Sequence, residues 1–255
     1  MTGPFALSLS DSYAMTARSM RGVTRQIDAL VTSIMLPIFL MLLFVYVFGG
    51  AISIGVDYVQ YVVPGVIVLC AGFGAASTAV AVASDMQHGV IDRFRSLPIV
   101  GSSVLIGHVA ASVATNLFST AIVIGVAYLT GFRPTAGPLE WLGAIGLLVL
   151  FILALSWVAT AIGLLVKNVE AANGATFFML FLPYLSSAFV PTDTMPDALQ
   201  VVTCHQPFTP MIEALRGLLL GTPIGNNAWL AIAWFGGILV VAFLAATMLF
   251  NRAGE

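Results

Sequence analysis

The residues able to do chemistry in this 255-residue chain are few and scattered. Its three histidines, His88, His108 and His205, lie far apart in sequence. The only lysine, Lys167, is followed by Asn168 and Val169, not by Ser or Thr. A Gly-x-x-x-x-Gly-Lys-Ser/Thr loop, whose backbone N–H groups would cradle nucleotide phosphates, does not occur. The two-histidine zinc motif His-Glu-x-x-His and the Gly-x-Ser-x-Gly nucleophile turn are also missing. Cys204-His205 is a contiguous pair with nucleophile or metal-ligand character, but no third partner stands at a recognisable spacing, and Cys70 is isolated in an apolar run. No catalytic, cofactor-binding or metal-binding residue is expected in this chain.

The elements around these residues explain the scarcity. Hydrophobic residues make up 60% of the chain and charged residues only 8%, against about 25% charged in a soluble domain. Eleven acidic and nine basic residues nearly cancel, so there is no basic field to hold nucleic acid. The charges bound six charge-free runs, at 29–56, 58–84, 96–132, 141–166, 171–192 and 217–251. Each exceeds the roughly 20 apolar residues that carry an α-helix across about 30 Å of hydrocarbon, and none alternates as a barrel strand does. The expected fold is an all-α integral membrane protein, a single transmembrane domain over 1–255. Its six helices are placed at about 30–49, 60–83, 103–129, 141–166, 171–190 and 228–250.

Placing the N-terminus in the cytosol puts Arg18, Arg21, Arg25, Arg93, Arg95, Lys167 and Arg252 inside, and Arg133 and Arg216 outside. That distribution satisfies the positive-inside bias and sets both termini in the cytosol. Residues 1–28 hold three arginines and no apolar core, so the segment is expected to be retained rather than cleaved.

Three segments depart from plain membrane helices. Over 10–28, Tyr13, Ala17, Met20, Val23 and Ile27 share one helical face and Arg18, Arg21 and Arg25 another, the pattern of an amphipathic interfacial helix. The cytosolic loop 85–98 is amphipathic too. Met86, Val90, Phe94 and Leu97 form its apolar stripe, Asp92 and Arg95 are spaced for an ion pair, and Pro98 ends it. The outer connection 191–227 is broken by prolines but reads as helix from Phe208 to Leu220, too short to span and suited to a re-entrant or interfacial position. Within it Glu213 and Arg216 stand three apart, as an outer gate or a structural ion pair.

The membrane runs carry no Asp, Glu, Lys or Arg at mid-depth, which disfavours coupling to an ion gradient. They retain Asn116, Ser119, Thr120, Ser156 and Thr160, and aromatics including Phe39, Phe177, Phe178, Phe181 and Tyr184. Helix packing is the default role for each. Phe39, Asn116, Phe181 and Tyr184 are the candidates for lining a translocation path.

The run Gly89-Val-Ile-Asp-Arg-Phe-Arg-Ser-Leu-Pro-Ile99 resembles the signature of ABC-2-type exporter permeases, most closely the daunorubicin-resistance subgroup. Phe189-Val-Pro, Met195-Pro196, Gln206-Pro207 and Glu213-Ala-Leu-Arg-Gly217 resemble the same family's proline-rich connection between its fifth and sixth helices. Departures are Gln206 where Asn is frequent, Val100-Gly-Ser-Ser where a basic residue often follows the loop, and Gly107-His108 where Gly-Arg is common.

The resemblance implies a half-transporter in the bacterial-type cytoplasmic membrane, moving amphipathic drugs or lipids outward. Its partners would be a pair of cytosolic ATP-binding subunits that carry the ATP and Mg, and a second permease chain, identical or related. It also implies that 85–98 is a coupling helix docked in the ATPase, with Gly89, Asp92, Arg93, Phe94, Arg95, Leu97 and Pro98 at the contact. The chain would then be no enzyme by itself. An exporter of polyprenyl-linked glycan or envelope lipid has the same architecture. An ATPase-independent channel or carrier, and an intramembrane enzyme using Cys204 and His205, are the readings from other classes.

Overall fold

The computed structural model describes residues 27–52, 55–89 and 102–252, and among them every regular element is helical. Helix α1 (Ile27–Leu42) continues into a π-helical stretch, Leu43–Phe48. Then follow α2 (Tyr58–Gln87), α3 (Ser102–Leu129), α4 (Pro138–Leu165) and α5 (Val169–Phe181), the last extended by a 3₁₀ turn, Leu182–Leu185. Two short helices, α6 (Asp197–His205) and α7 (Phe208–Leu220), precede α8 (Asn227–Arg252).

Local chemistry sets the ends. Helix α4 begins at Pro138, whose fixed φ and missing N–H suit a first helical position, with Glu140 in the first turn facing the positive end of the dipole. Asn168 opens α5 by accepting the Ala171 N–H at 2.8 Å. Gly221 closes α7 at φ +70°, its N–H donating to Gly217 O at 2.9 Å, a backbone state that favours glycine.

Four helices are long and apolar enough to cross a bilayer: α2, Val104–Leu129 of α3, α4 and α8. Their ends fall within a few residues of the expected ones. Six crossings were expected, and the fifth differs most: over 171–190 the chain is helical only as far as Leu185. Pro183 has no N–H to extend the ladder. The Ser186 hydroxyl turns back to donate to Pro183 O, and Ser186 itself is extended, at φ −129° and ψ −176°. The α5 segment alone, 13 residues, rises only about 20 Å.

Two apolar clusters fix the directions of the crossings. One gathers Val82, Val104, Leu105, Trp157, Leu164 and Phe250; the other includes Tyr58, Ala127, Phe132, Ala144 and Ala231. The second half of α2 therefore lies beside the start of α3 and the ends of α4 and α8. Helices α2, α4 and α8 run in one direction and α3 in the other. Helix α2 is the centre, with 78% of its most apolar window buried inside the chain against 17% for α8. Small residues allow its close contacts. A β-carbon on Gly65 would sit 2.7 Å from the Ala188 backbone, and one on Gly163 of α4 would sit 2.7 Å from Ala79 O.

The stretch 208–220 read as helical is α7. It packs inside the protein, with Phe208 ringed by Phe151 of α4 and Phe235 of α8 at 5.8 and 5.9 Å. Helix α6, nine residues between Pro196 and Pro207, was not anticipated. Of the interfacial helix expected at 10–28, Ile27 and Asp28 open α1, and residues 10–26, with Arg18, Arg21 and Arg25, lie outside the described residues. So do Asp92, Arg93, Phe94, Arg95, Leu97 and Pro98. Of the expected coupling segment, α2 takes Asp85–Gln87, and Gly89 follows at φ +65°.

These contacts predict that Gly65→Ala, which drives a methyl into the Ala188 backbone, lowers the thermal midpoint in detergent by the equivalent of about 1–3 kcal/mol. Gly72→Ala, whose methyl would meet only Leu155 Cδ1 at 4.0 Å, is the neutral control. Equal midpoints for the two variants would disprove the α2–Ala188 approach.

Candidate functional site

The break after α5 frees backbone carbonyls among apolar side chains, and side chains from other elements satisfy them. Gln206 Nε2 donates to Leu185 O at 3.0 Å, the Tyr61 hydroxyl to Ser187 O at 3.0 Å, and the Tyr58 hydroxyl to Phe189 O at 3.0 Å. Arg216 of α7 joins the same group. Its Nη2 donates to Ser187 O at 2.9 Å and to Tyr61 O at 3.1 Å, and its guanidinium carbon lies 3.8 Å from the Tyr61 ring centroid. Its Nη1 pairs with the Glu213 carboxylate.

Arg216 is 6% exposed. A cation there survives because it is paired and bonded at several donors at once. The Glu213 side chain is 32% exposed and keeps one side toward solvent. The sequence singled out the Glu213–Arg216 pair. It missed Tyr58 and Tyr61, although tyrosines near the end of an apolar helix signal hydroxyls in need of acceptors, and it singled out Gln206 only for its place beside Pro207. A second clamp lies beside this one: Gln60 of α2 donates through Nε2 to Gly131 O at 3.1 Å and accepts the Arg133 N–H at 3.1 Å, fixing the α3–α4 connection.

At the opposite end, Asp85 Oδ2 of α2 meets His108 Nε2 of α3 at 3.2 Å. The contact ties together the two helix ends that flank the expected coupling loop.

Asn116 is only 1% exposed and belongs to a polar seam. Its Nδ2 donates to Ser112 O at 2.9 Å, Ser112 and Ser156 hydroxyls meet at 2.8 Å, and Thr160 donates to Ser156 O at 2.8 Å. The amide oxygen presses on Gly74 of α2, where a β-carbon would sit 1.7 Å away. The seam thus joins α2, α3 and α4 through small residues and short polar side chains.

The aromatic candidates sit elsewhere. Phe177, Phe181 and Tyr184 stack in sequence at 6.4 and 6.2 Å, and Tyr184 continues to Phe189 at 5.7 Å and Phe189 to Phe44 of the π-helical stretch at 4.1 Å. Phe39 and Phe181 are 62% and 50% exposed. This leaves an open aromatic face on α1 and α5 that the described residues do not cover. Cys204 and His205 are exposed on α6, and His205 Nδ1 is 2.7 Å from Val201 O. Among the described residues no three His, Cys, Asp or Glu side chains gather as a metal site.

The sequence profile of the ABC-2 type transporters matches residues 11–220. The daunorubicin resistance ABC transporter permease protein DrrB1 of Streptomyces coeruleorubidus is 30% identical over 88% of the chain and 79% of its own length. The probable doxorubicin resistance ABC transporter permease protein DrrC of Mycobacterium tuberculosis is 25% identical over 97% of the chain and 90% of its own. The putative transport permease ycf38 of Cyanophora paradoxa is 25% identical over 87% and 77%.

The geometry of the carbonyl group predicts unequal effects for the two members of the charged pair. Arg216→Met removes donors from Ser187 O and Tyr61 O and leaves Glu213 without its partner, at a cost of about 1–3 kcal/mol. Glu213→Gln keeps a side-chain oxygen to accept from Nη1 and costs less. Thermal unfolding in detergent ranks them, and a smaller effect for Arg216→Met would contradict the arrangement.

Proposed function

The chain belongs to the ABC-2 type transporter family, and on that premise we propose that it is the membrane-spanning subunit of an ATP-driven exporter of amphipathic drugs or lipids. The observation that carries this reading is the 30% identity, over 88% of the chain, to a permease of daunorubicin resistance. The chain is a multi-pass membrane protein whose relatives are permease subunits of ABC transporters. ATP and Mg belong, on this reading, to a pair of separate cytosolic subunits, and a second permease chain completes the complex.

Six crossings follow if α1 with its π-helical continuation, 22 residues over 27–48, and α5 with its 3₁₀ turn, 17 residues over 169–185, complete the set. Both lengths fall in the range that can cross a bilayer. The positive-inside bias then sets Lys167 and Arg252, with both termini, in the cytosol. In that orientation the Asp85–His108 contact is cytosolic, and the Arg216 cluster lies on the exit side, consistent with a domain 1–255 whose connection 191–227 is extracytosolic.

Within the segment 85–98, whose first three residues end α2, the part from Gly89 to Pro98 is the coupling helix of this proposal. Phe94 and Leu97 supply its apolar seat on the ATPase, and Asp92, Arg93 and Arg95 set its register, with Gly89 and Pro98 as its ends. Nucleotide closure moves it, and the spans shift between inward-open and outward-open states to the extent that nucleotide binds the two with different affinity. The open aromatic face of α1 and α5 supports a lateral path for an amphipathic cargo, with Phe39, Phe181 and Tyr184 touching it and the second permease facing it. Asn116, buried in the α2–α3–α4 seam, shapes the wall from behind.

Reconstitution of the chain in lipid nanodiscs with candidate ATP-binding subunits tests the proposal. ATP hydrolysis is expected only in the complex, and daunorubicin is expected to change its rate. Phe94→Ala and Arg93→Glu should abolish that response while the helical content stays unchanged; survival of both co-purification and drug response would remove the docking assignment. Alanine at Phe39, Phe181 and Tyr184 together should shift the drug concentration giving half-maximal response. An unshifted curve would move the path away from α1 and α5.

A further inference from the structure

Helix α2 ends at Gln87 and α3 begins at Ser102, so the segment between them is attached to one helix at each end. Asp85 lies within about 3 Å of helix rise from the end of α2, and His108 within about 9 Å of the start of α3. Their side chains meet across the two helices at 3.2 Å, the imidazole 10% exposed and the carboxylate 21%. With the carboxylate accepting, His108 Nε2 carries the proton of this bond. The neighbouring histidine is engaged within α2: His88 Nδ1 is 2.7 Å from Ser84 O.

The pair sits on an apolar contact. Val82 and Met86 of α2 share a cluster with Val104, Leu105 and Val109 of α3. Apolar contact is non-directional and tolerates a slide of one helix along the other. A largely buried hydrogen bond to a carboxylate is short-ranged and directional, and water competes for it weakly. Further into the bundle, Asn116 against Gly74 fixes the same two helices, about 16 Å from Asp85 along α2. Beyond that point the last turns of α2 can shift on their apolar seat, and the Asp85–His108 bond opposes the shift where the intervening segment is attached.

We propose that Asp85 and His108 are positioning residues: their bond holds the ends of α2 and α3 in one register, so that displacement of the segment between them moves both helices together. The joint movement under nucleotide rests on the exporter reading; the fixed register does not. Neither residue touches nucleotide or cargo in this role. Each acts through the helix that carries it.

Two measurements on the full chain in lipid nanodiscs test the pair. Spin labels at Gln87→Cys and Ile106→Cys, both exposed positions, report the α2–α3 distance in a Cys204→Ser background, with Cys70 buried. A narrow distribution is expected with the pair intact and a broadened or displaced one with His108→Leu. His108→Gln, whose amide N–H replaces the imidazole donor, should restore the narrow one. In the complex with ATP-binding subunits, His108→Leu should still co-purify but reduce the daunorubicin-dependent change in ATP hydrolysis roughly tenfold. His108→Gln should retain that change, and adding His108→Leu to Asp85→Leu should cause no further loss.

Equal distance distributions for His108→Leu and the intact pair would overturn the fixed register. Additive losses from Asp85→Leu and His108→Leu, or equal losses from His108→Gln and His108→Leu, would overturn the joint movement. A wild-type complex indifferent to daunorubicin would instead overturn the exporter reading, and the label distances would still decide the register.

Discussion

Backbone carbonyls released inside an apolar protein need donors, and the course of the chain after α5 depends on where those donors stand. Pro183 stops the helix, and the carbonyls of Leu185, Ser187 and Phe189 then point to Gln206, Tyr61 with Arg216, and Tyr58. Each donor comes from a different part of the chain from the acceptor it meets. The start of α2, the turn beyond α5 and the short helix α7 are consequently fixed as one unit. A buried guanidinium is tolerable here because its charge is paired with Glu213 and its Nε and Nη2 donate to the Tyr61 and Ser187 carbonyls. The same unit orients α7 against α4 and α8, so packing far from the break rests on it.

Helix α2 links this unit to the other end of the molecule. Its 30 residues reach about 45 Å, from Tyr58 and Tyr61 at one end to Asp85 and its contact with His108 at the other. Close contacts on glycine along the way, with Ala188 at Gly65, Asn116 at Gly74 and Val82 against Gly163, leave little room for α2 to bend independently of its neighbours. On the proposed reading, a push delivered beside Asp85 would be carried as a displacement of a packed bundle. Helices α1 and α5, by contrast, present exposed aromatic faces and irregular helical geometry, a π-helical stretch in one and a 3₁₀ turn in the other. Such departures mark places where helices adjust locally.

The long charge-free runs made α2, α3, α4 and α8 legible in the sequence, since apolar length alone predicts a membrane helix. The same rule overestimated the fifth run, because hydropathy over 171–190 does not register that Pro183 withholds a donor and that Ser186 closes the turn. The amphipathic stretch 208–220 and the Glu213–Arg216 spacing revealed α7 and its charged pair. What the sequence could not supply were the pair's long-range partners: Tyr61 is 155 residues from Arg216, and no local pattern joins them. Asn116 shows the converse. A lone amide in an apolar run suggested a path-lining group, and its place against Gly74 follows from the helix approach.

The permease assignment is tested most directly by ATP-dependent uptake of daunorubicin into inside-out vesicles that contain the chain with its ATP-binding subunits. Vesicles with the chain alone provide the comparison. Accumulation that requires both ATP and those subunits is the expected result. Accumulation at the same rate by the chain alone, without ATP, would contradict it and leave a channel or carrier in its place.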